Sequence, residues 1–372
     1  MMKKISLILT VIFAISLLFT SCDKNANLIN ADIVPDNFKV DIPNSLSNAS
    51  DKASKDDVLD GNDIYGHLTT FIAVGEGAAD IVQGIMRAIR RYDLDQAMSF
   101  SFESDEDGRT KSVVIIENSS FEGQIWEYQL TMKDEDGGTA LQVFWNNSPV
   151  KGIAILNPYN IDRTTVNEWS QSEQWTDENT MYRVDYSEAE TDYEAQMIVY
   201  ISGLKLPDSI QAYNRFAMET LKMFAGKKGN VVDVYGNSNH PKAYFFDDTK
   251  EGFNWAFVAA GNDVANIGIA EVGLPPSYLD ETSRTVLLET HSIHNVFETE
   301  LTALGYSQTD IDVYLAHTLA PGYFANGEFL QAGTSPGSSY DEIQSSMETL
   351  SPYNPIEISN LSIQFKDDDA SL

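Results

Sequence analysis

The sequence predicts an α+β fold: an antiparallel β-meander forming a curved sheet, half-barrel or barrel, with helices packed on it. Three observations carry that prediction. Between Met98 and Val272 apolar and polar residues alternate in about ten short runs, the pattern of antiparallel strands with one wet face. On either side of that region apolar residues recur at three- and four-residue steps, the helical period. Hydrophobic residues make up 42% and charged residues 22% of the 372, enough apolar material for a core. That balance excludes a wholly disordered chain, a coiled coil and a multi-span membrane protein. Acidic residues outnumber basic ones 56 to 24, a formal charge of −32. Such a surface repels phosphate backbones, so no nucleic-acid partner is expected.

The elements follow in chain order. Lys3 and Lys4 precede an apolar run over residues 5–19. It is shorter than the ~20 residues a bilayer span needs but suits a secretory signal. Leu18, Phe19, Thr20, Ser21 and Cys22 follow, and Cys22 is the chain's single cysteine, so no internal disulfide is expected. This stretch resembles the lipobox of bacterial lipoproteins, in which a small residue precedes the cysteine that becomes the lipidated N-terminus. Phe19 departs from the usual aliphatic residue three positions before that cysteine, and the resemblance covers residues 1–22 alone. It implies a signal peptide over 1–21 and acyl chains, palmitate among them, on Cys22. It also implies anchoring in the cell envelope, at the inner or outer membrane, periplasmic or surface-exposed. One acyl chain binds marginally, at ~0.8 kcal/mol per buried methylene, whereas two or three hold stably.

Residues 22–61, rich in Asn, Asp, Ser and Lys without a period, read as a flexible tether. Order is expected from about Ile64. Leu68, Phe71, Val74, Ala78, Ile81, Ile85 and Ile89 mark an amphipathic helix from His67 to Arg91. Its glycines at 75, 77 and 84 cost up to ~1 kcal/mol each relative to alanine, so this helix is expected to press closely on a sheet.

Then the period becomes two. Met98, Phe100 and Phe102 share one face of a strand; Trp126, Tyr128, Leu130 and Met132 share another, expected to line the interior. Further strands are expected near 112–117, 140–146, 152–156, 181–186, 195–201, 231–235, 242–246, 253–259 and 264–272. Asp107 with Gly108, and Asp136 with Gly137, suit two-residue hairpin turns.

Pro207 and Asp208 suggest a helix lined by Phe216, Leu221 and Phe224 and closed by Gly226. Past Pro275 helices are expected over 284–304 and after Ser307, where Ser307 and Asp310 suit a capping box. Residues 355–365 read as a last strand with a bulge near Asn360. The domain of helix plus meander thus spans 62–275, and the helical segment of 276–372, with its final strand, packs on it. Helix-then-meander order resembles the half-barrel of periplasmic lipoprotein carriers. That likeness is architectural and carries no functional residue over.

Candidate chemistry is sparse. His291, His294 and Glu298 fall on one side of a predicted helix and could ligate zinc, although the spacing differs from the metalloprotease helix motif. Acids at 105–107, 134–136, 247–248 and 367–369 invite calcium but lack the longer loop with a terminal glutamate, so they read as solvated turns. Trp169 and Trp175 stand in a polar stretch where no core pattern explains them, and such aromatics stack on sugar rings or other ligands. Nucleophile elbows and phosphate loops are missing from the sequence.

The expected function is that of a lipid-anchored, non-enzymatic envelope protein that binds an apolar or lipid-like ligand or plays a structural role. Trp126 and Tyr128 would line such a ligand's site; no cofactor is expected. One alternative is a surface glycan-binding lipoprotein using Trp169 and Trp175. The other is a metal-dependent hydrolase built on His291, His294 and Glu298.

Overall fold

The computed structural model describes residues 34–47, 59, 61–90, 97–105, 107–163, 178–188, 192–204, 218–246 and 252–367. Its centre is a 13-stranded antiparallel sheet whose strand order is the chain order. The strands are β1 (Met98–Glu103), β2 (Thr110–Phe121), β3 (Gln124–Lys133), β4 (Thr139–Asn147), β5 (Val150–Leu156), β6 (Met181–Glu188) and β7 (Ala195–Ser202). They continue with β8 (Thr220–Lys228), β9 (Val231–His240), β10 (Phe253–Asn262), β11 (Ile267–Gly273), β12 (Gly322–Ala325) and β13 (Glu328–Ala332). The meander predicted from period-two alternation is therefore present, and it is open rather than closed. Its tight turns fall elsewhere than expected. Glu122 and Gly123, and Asn326 and Gly327, supply the two-residue hairpins with positive φ. Asp107 and Asp136 sit in longer loops.

Register makes the inner face continuous. Phe100, Val113, Met132, Leu141, Leu156, Tyr182, Ile201 and Leu221 are successive cross-strand partners, and the row ends at Ser238 and Trp255. Inside the curve runs the 30-residue helix α2 (Gly61–Arg90); the four-residue α1 (Asn44–Ser47) precedes it. The stripes Leu68, Ile72, Ala79, Val82, Met86 and Phe71, Val74, Ala78, Ile81, Ile85 are both buried. Among the described side chains of α2, Arg87 alone is exposed. Gly75 permits the contact: a Cβ there would lie 2.5 Å from Met223 Cε on β8. The expectation that this helix presses on the sheet holds.

Several expectations need correction. Part of the expected tether belongs to the core: Val34, Phe38, Val40, Ile42 and Leu46 are at most 6% exposed. Phe38 stacks on Tyr186, and Gln83 of α2 holds the segment by accepting from Phe38 N–H (2.5 Å) and donating to Asp36 O (2.9 Å). The apolar residues are too few and too scattered to show a period, yet Phe38 seats on Tyr186 of β6, Val40 meets Met197 of β7 and Leu46 lies against Gly261 and Gly268 of β10 and β11. Second, Leu221, Phe224 and Gly226 belong to strand β8; residues 205–217 lie outside the described residues. A three-residue spacing suggested one helix face, whereas Leu221 points to the core and Phe224 to the opposite side against Tyr235 (4.7 Å).

Third, residues 355–365 form no strand. Asn354 caps a short helix, labelled α7 below, with Pro355 in its first turn, and the chain then runs extended over the outer face. Fourth, the helix expected over 284–304 is broken. A π-helical turn (Thr285–Thr290) ends at His291, and Ser292 caps a new helix. Residues 242–246 are a loop instead of a strand.

The remaining helices are α3 (Pro158–Ile161), α4 (Ile293–Ala303), α5 (Gln308–Tyr314), α6 (Asp341–Met347) and α7 (Pro355–Ser359). Ser307 caps α5 as expected, accepting from Asp310 N–H. Ile343 and Met347 of α6, with Tyr340 and Leu350, cover an outer patch formed by Val258, Ala260 and Ile269. Further along the chain, Ile363 covers a second outer patch of Trp126, Phe144, Ile153 and Ile155. Trp126 is thus buried, at 4% exposure, but on the outer side instead of lining the interior with Leu130 and Met132. Asn118 in β2 has φ 56°, and Asn146 Oδ1 takes the Glu127 N–H at 2.8 Å, so strict alternation lapses between Trp126 and Tyr128.

Candidate functional site

The outer face carries a half-buried cluster of charged and aromatic side chains. Strands β6, β7 and β8 set Arg183, Tyr200 and Lys222 in one cross-strand row. The Tyr200 ring receives a cation from each neighbour, with Arg183 Cζ 5.5 Å and Lys222 Nζ 5.3 Å from its centroid. Tyr353 closes the row from above, its centroid 4.1 Å from Lys222 Nζ. The Tyr353 N–H donates to Asn237 Oδ1 (2.8 Å), and Asn237 is the cross-strand partner of Lys222 on β9. Lys222, Tyr200 and Tyr353 are each half-buried, so the cluster meets solvent.

The two cations differ in their partners. Arg183 is neutralised by Glu122 at 2.5 Å and Asp185 at 2.6 Å. Lys222 has no ion-pair partner among the described residues. Burial pulls its ammonium pKa down, against the opposing fields of Glu357 and Asp185. Burial likewise raises the Tyr200 hydroxyl, assisted by Asp185.

A second cluster lies inside. Ser238 Oγ and His240 Nε2 are 2.8 Å apart on β9, among Phe71, Phe253 and Trp255. Hydroxyl and imidazole in hydrogen-bond contact are what nucleophilic catalysis uses. Both residues, however, are 0% exposed, and they serve here as a polar pair in the core.

The third cluster joins two acidic hairpin ends. Lys111 Nζ, on a fully enclosed side chain, donates to Asp107 Oδ2 (2.8 Å), Asp134 Oδ1 (2.9 Å) and the carbonyl of Asn160 (3.0 Å). Arg109 and Arg163 add bonds to Asp134. The Asp107 and Asp134 side chains are 1% and 0% exposed, so these acids are not solvated turns. Protein cations occupy them. Burial pushes Asp134 upward, but hydrogen bonds from Arg109 and Lys111 prevail and hold it well below the usual carboxylate range.

The residues singled out on sequence are dispersed. Tyr128 is half-buried on the inner face and stacks on Trp145 at 5.4 Å. His294 Nδ1 meets Thr318 Oγ1 at 2.8 Å, while Glu298 accepts from Gln308 Nε2 at 2.9 Å. The His291 carbonyl accepts from Leu274 N–H at 2.8 Å, and burial lowers its imidazole pKa. Among the described residues no group of three or more His, Cys, Asp or Glu is placed to hold a metal ion, so the alternative zinc set of His291, His294 and Glu298 is not assembled. Cys22, Trp169 and Trp175 lie outside the described residues. No described helix is long and apolar enough to cross a membrane.

The outer row went unread because its members come from three strands and the C-terminal segment, and none makes a local motif. Comparison with protein-family models, curated proteins and solved structures finds no significant match.

Proposed function

We propose that this is a lipid-anchored, non-enzymatic protein of the bacterial cell envelope that binds a glycan on the outer face of its sheet. One observation carries the choice of face. The concave side, which a carrier of apolar ligands would keep for its cargo, is filled by α2 and by residues 34–46 of the same chain. Leu68, Ile72 and Val82 of α2 and Phe38 and Leu46 before it are at most 1% exposed. A ligand there would have to displace side chains worth roughly 1.5–3 kcal/mol each in burial. The outer face instead offers half-buried tyrosines beside charged groups, the mixture that fixes a polar ring in place.

Anchoring is tested by Cys22→Ser. The variant should leave the membrane fraction and appear soluble, because the acyl chains have no other attachment. Persistent co-sedimentation with membranes would refute the anchor. The choice of face is tested by titrating the soluble variant with a fluorescent fatty-acid analogue. No saturable binding is expected; stoichiometric uptake would return the interior to the role of a container.

A further inference from the structure

We infer that Lys222, held between Tyr200 and Tyr353, is the centre of a binding site for a single carboxylate carried on a sugar ring. The inference rests on the outer-face reading above and deepens it. An ammonium group that is half removed from water ordinarily finds a carboxylate partner. This one has none among the described residues, although 56 acidic residues are available to the chain. Its contacts are two ring faces, 4.1 and 5.3 Å from the nitrogen, which hold the charge without neutralising it. Arg183, one strand further along, shows the contrast: it sits on the same ring but is spent on Glu122 and Asp185.

The charge of the whole chain narrows the anion. At −32 the protein repels a polyanion such as nucleic acid or a densely sulfated chain. An isolated carboxylate is screened from distant acids beyond ~8 Å at physiological salt, so it meets Lys222 directly and, of the acids, the fields of Glu357 and Asp185 that also reach this lysine, with Arg183 opposing them. The two tyrosine rings beside the ammonium suit the C–H face of a sugar, and the ammonium suits its carboxylate. A uronic acid within an otherwise sparsely charged glycan combines these properties.

The test is isothermal titration of the detergent-solubilised full-length protein. The probes are short oligosaccharides bearing one glucuronate or one galacturonate residue on otherwise neutral sugars, their methyl esters, and neutral oligosaccharides of the same length. At least one free acid should bind, and its ester should bind tenfold or more weakly. Lys222→Gln should lose tenfold or more for the free acid, Lys222→Arg should stay within about threefold, and Tyr353→Ala should also weaken binding. Circular dichroism checks that each variant is folded; if Lys222→Gln fails to fold, the acid-to-ester ratio and Lys222→Arg still decide. Equal affinity for acid and ester, or an unchanged affinity in Lys222→Gln, would overturn the assignment. Neutral saccharides bound in preference to uronates would overturn it while leaving the outer-face reading intact. Binding of no saccharide by the native protein would remove both.

Discussion

Asp134 shows how much a single side chain can organise. Its carboxylate meets Lys111, Arg109 and Arg163 in a place closed to solvent, and breaking a buried pair by removing one charge costs about 3–5 kcal/mol. Asp134→Asn should therefore destabilise the protein by about that amount in urea titrations at pH 7. The sign with pH follows from the lowered folded pKa. The stabilisation is complete above the unfolded value, roughly 3.9, and is lost as pH falls below it through the folded value. The gap between wild type and variant should shrink as urea titrations are carried down through that range; a constant gap would mean that the charge is not what stabilises. The acids of this cluster were legible in the sequence, but Arg109 and Lys111, which neutralise them, were not singled out there. That the two hairpin ends converge on one lysine was not legible either, since pairing between strands sets it. Trp126 teaches a similar lesson. Parity placed Tyr128, Leu130 and Met132 correctly, but one left-handed residue on the neighbouring strand sends the tryptophan to the other side.

Helix α2 and strand β8 meet where Gly75 faces Met223. Gly75→Val puts extra carbon where a Cβ would already be 2.5 Å from the Met223 methyl, and such overpacking costs typically about 1–3 kcal/mol. Met223→Ala in the same chain should recover part of that loss, measured as a coupling in a double-mutant cycle. Strictly additive losses would show that the helix does not seat on β8 through this contact. Long elements with a sustained period, such as α2 and β3, were the readable part of the fold. The misread ones are short or have mixed signals. Leu221 and Phe224 mimic a helical step within a strand, and the strand-like alternation of residues 355–365 hid the Asn354 cap with Pro355 behind it. Asn326 with Gly327 was a hairpin signal for β12 and β13 that the helical stretches around it obscured.

At the scale of the whole molecule, strand order equals chain order, yet the two ends are stitched far along it. Ser45 Oγ donates to the Ile267 carbonyl at 3.0 Å, and Gln142 exchanges hydrogen bonds with the Lys366 backbone at 2.8 and 3.2 Å. Removing residues 1–47 takes Phe38, Val40, Ile42 and Leu46 from the core, at about 2–5 kcal/mol for each large side chain, against a total stability of about 5–15 kcal/mol. That truncation should not fold, whereas removal of residues 1–33 should leave the melting transition within a few degrees of native. Equal melting temperatures would mean the segment adds little to the core. The same stitching sets a length of leash. Were residues 22–61 all free, an acylated Cys22 could let the body drift about 130 Å from its anchor, at ~3.3–3.6 Å per extended residue. With Phe38 and Val40 locked beside α2, the distance from Cys22 to Val34 is bounded by chain length alone at about 40 Å, whatever the conformation between them. A lipid on Cys22 would hold this acidic body hard by the headgroups, where its orientation, more than its reach, governs what it can meet.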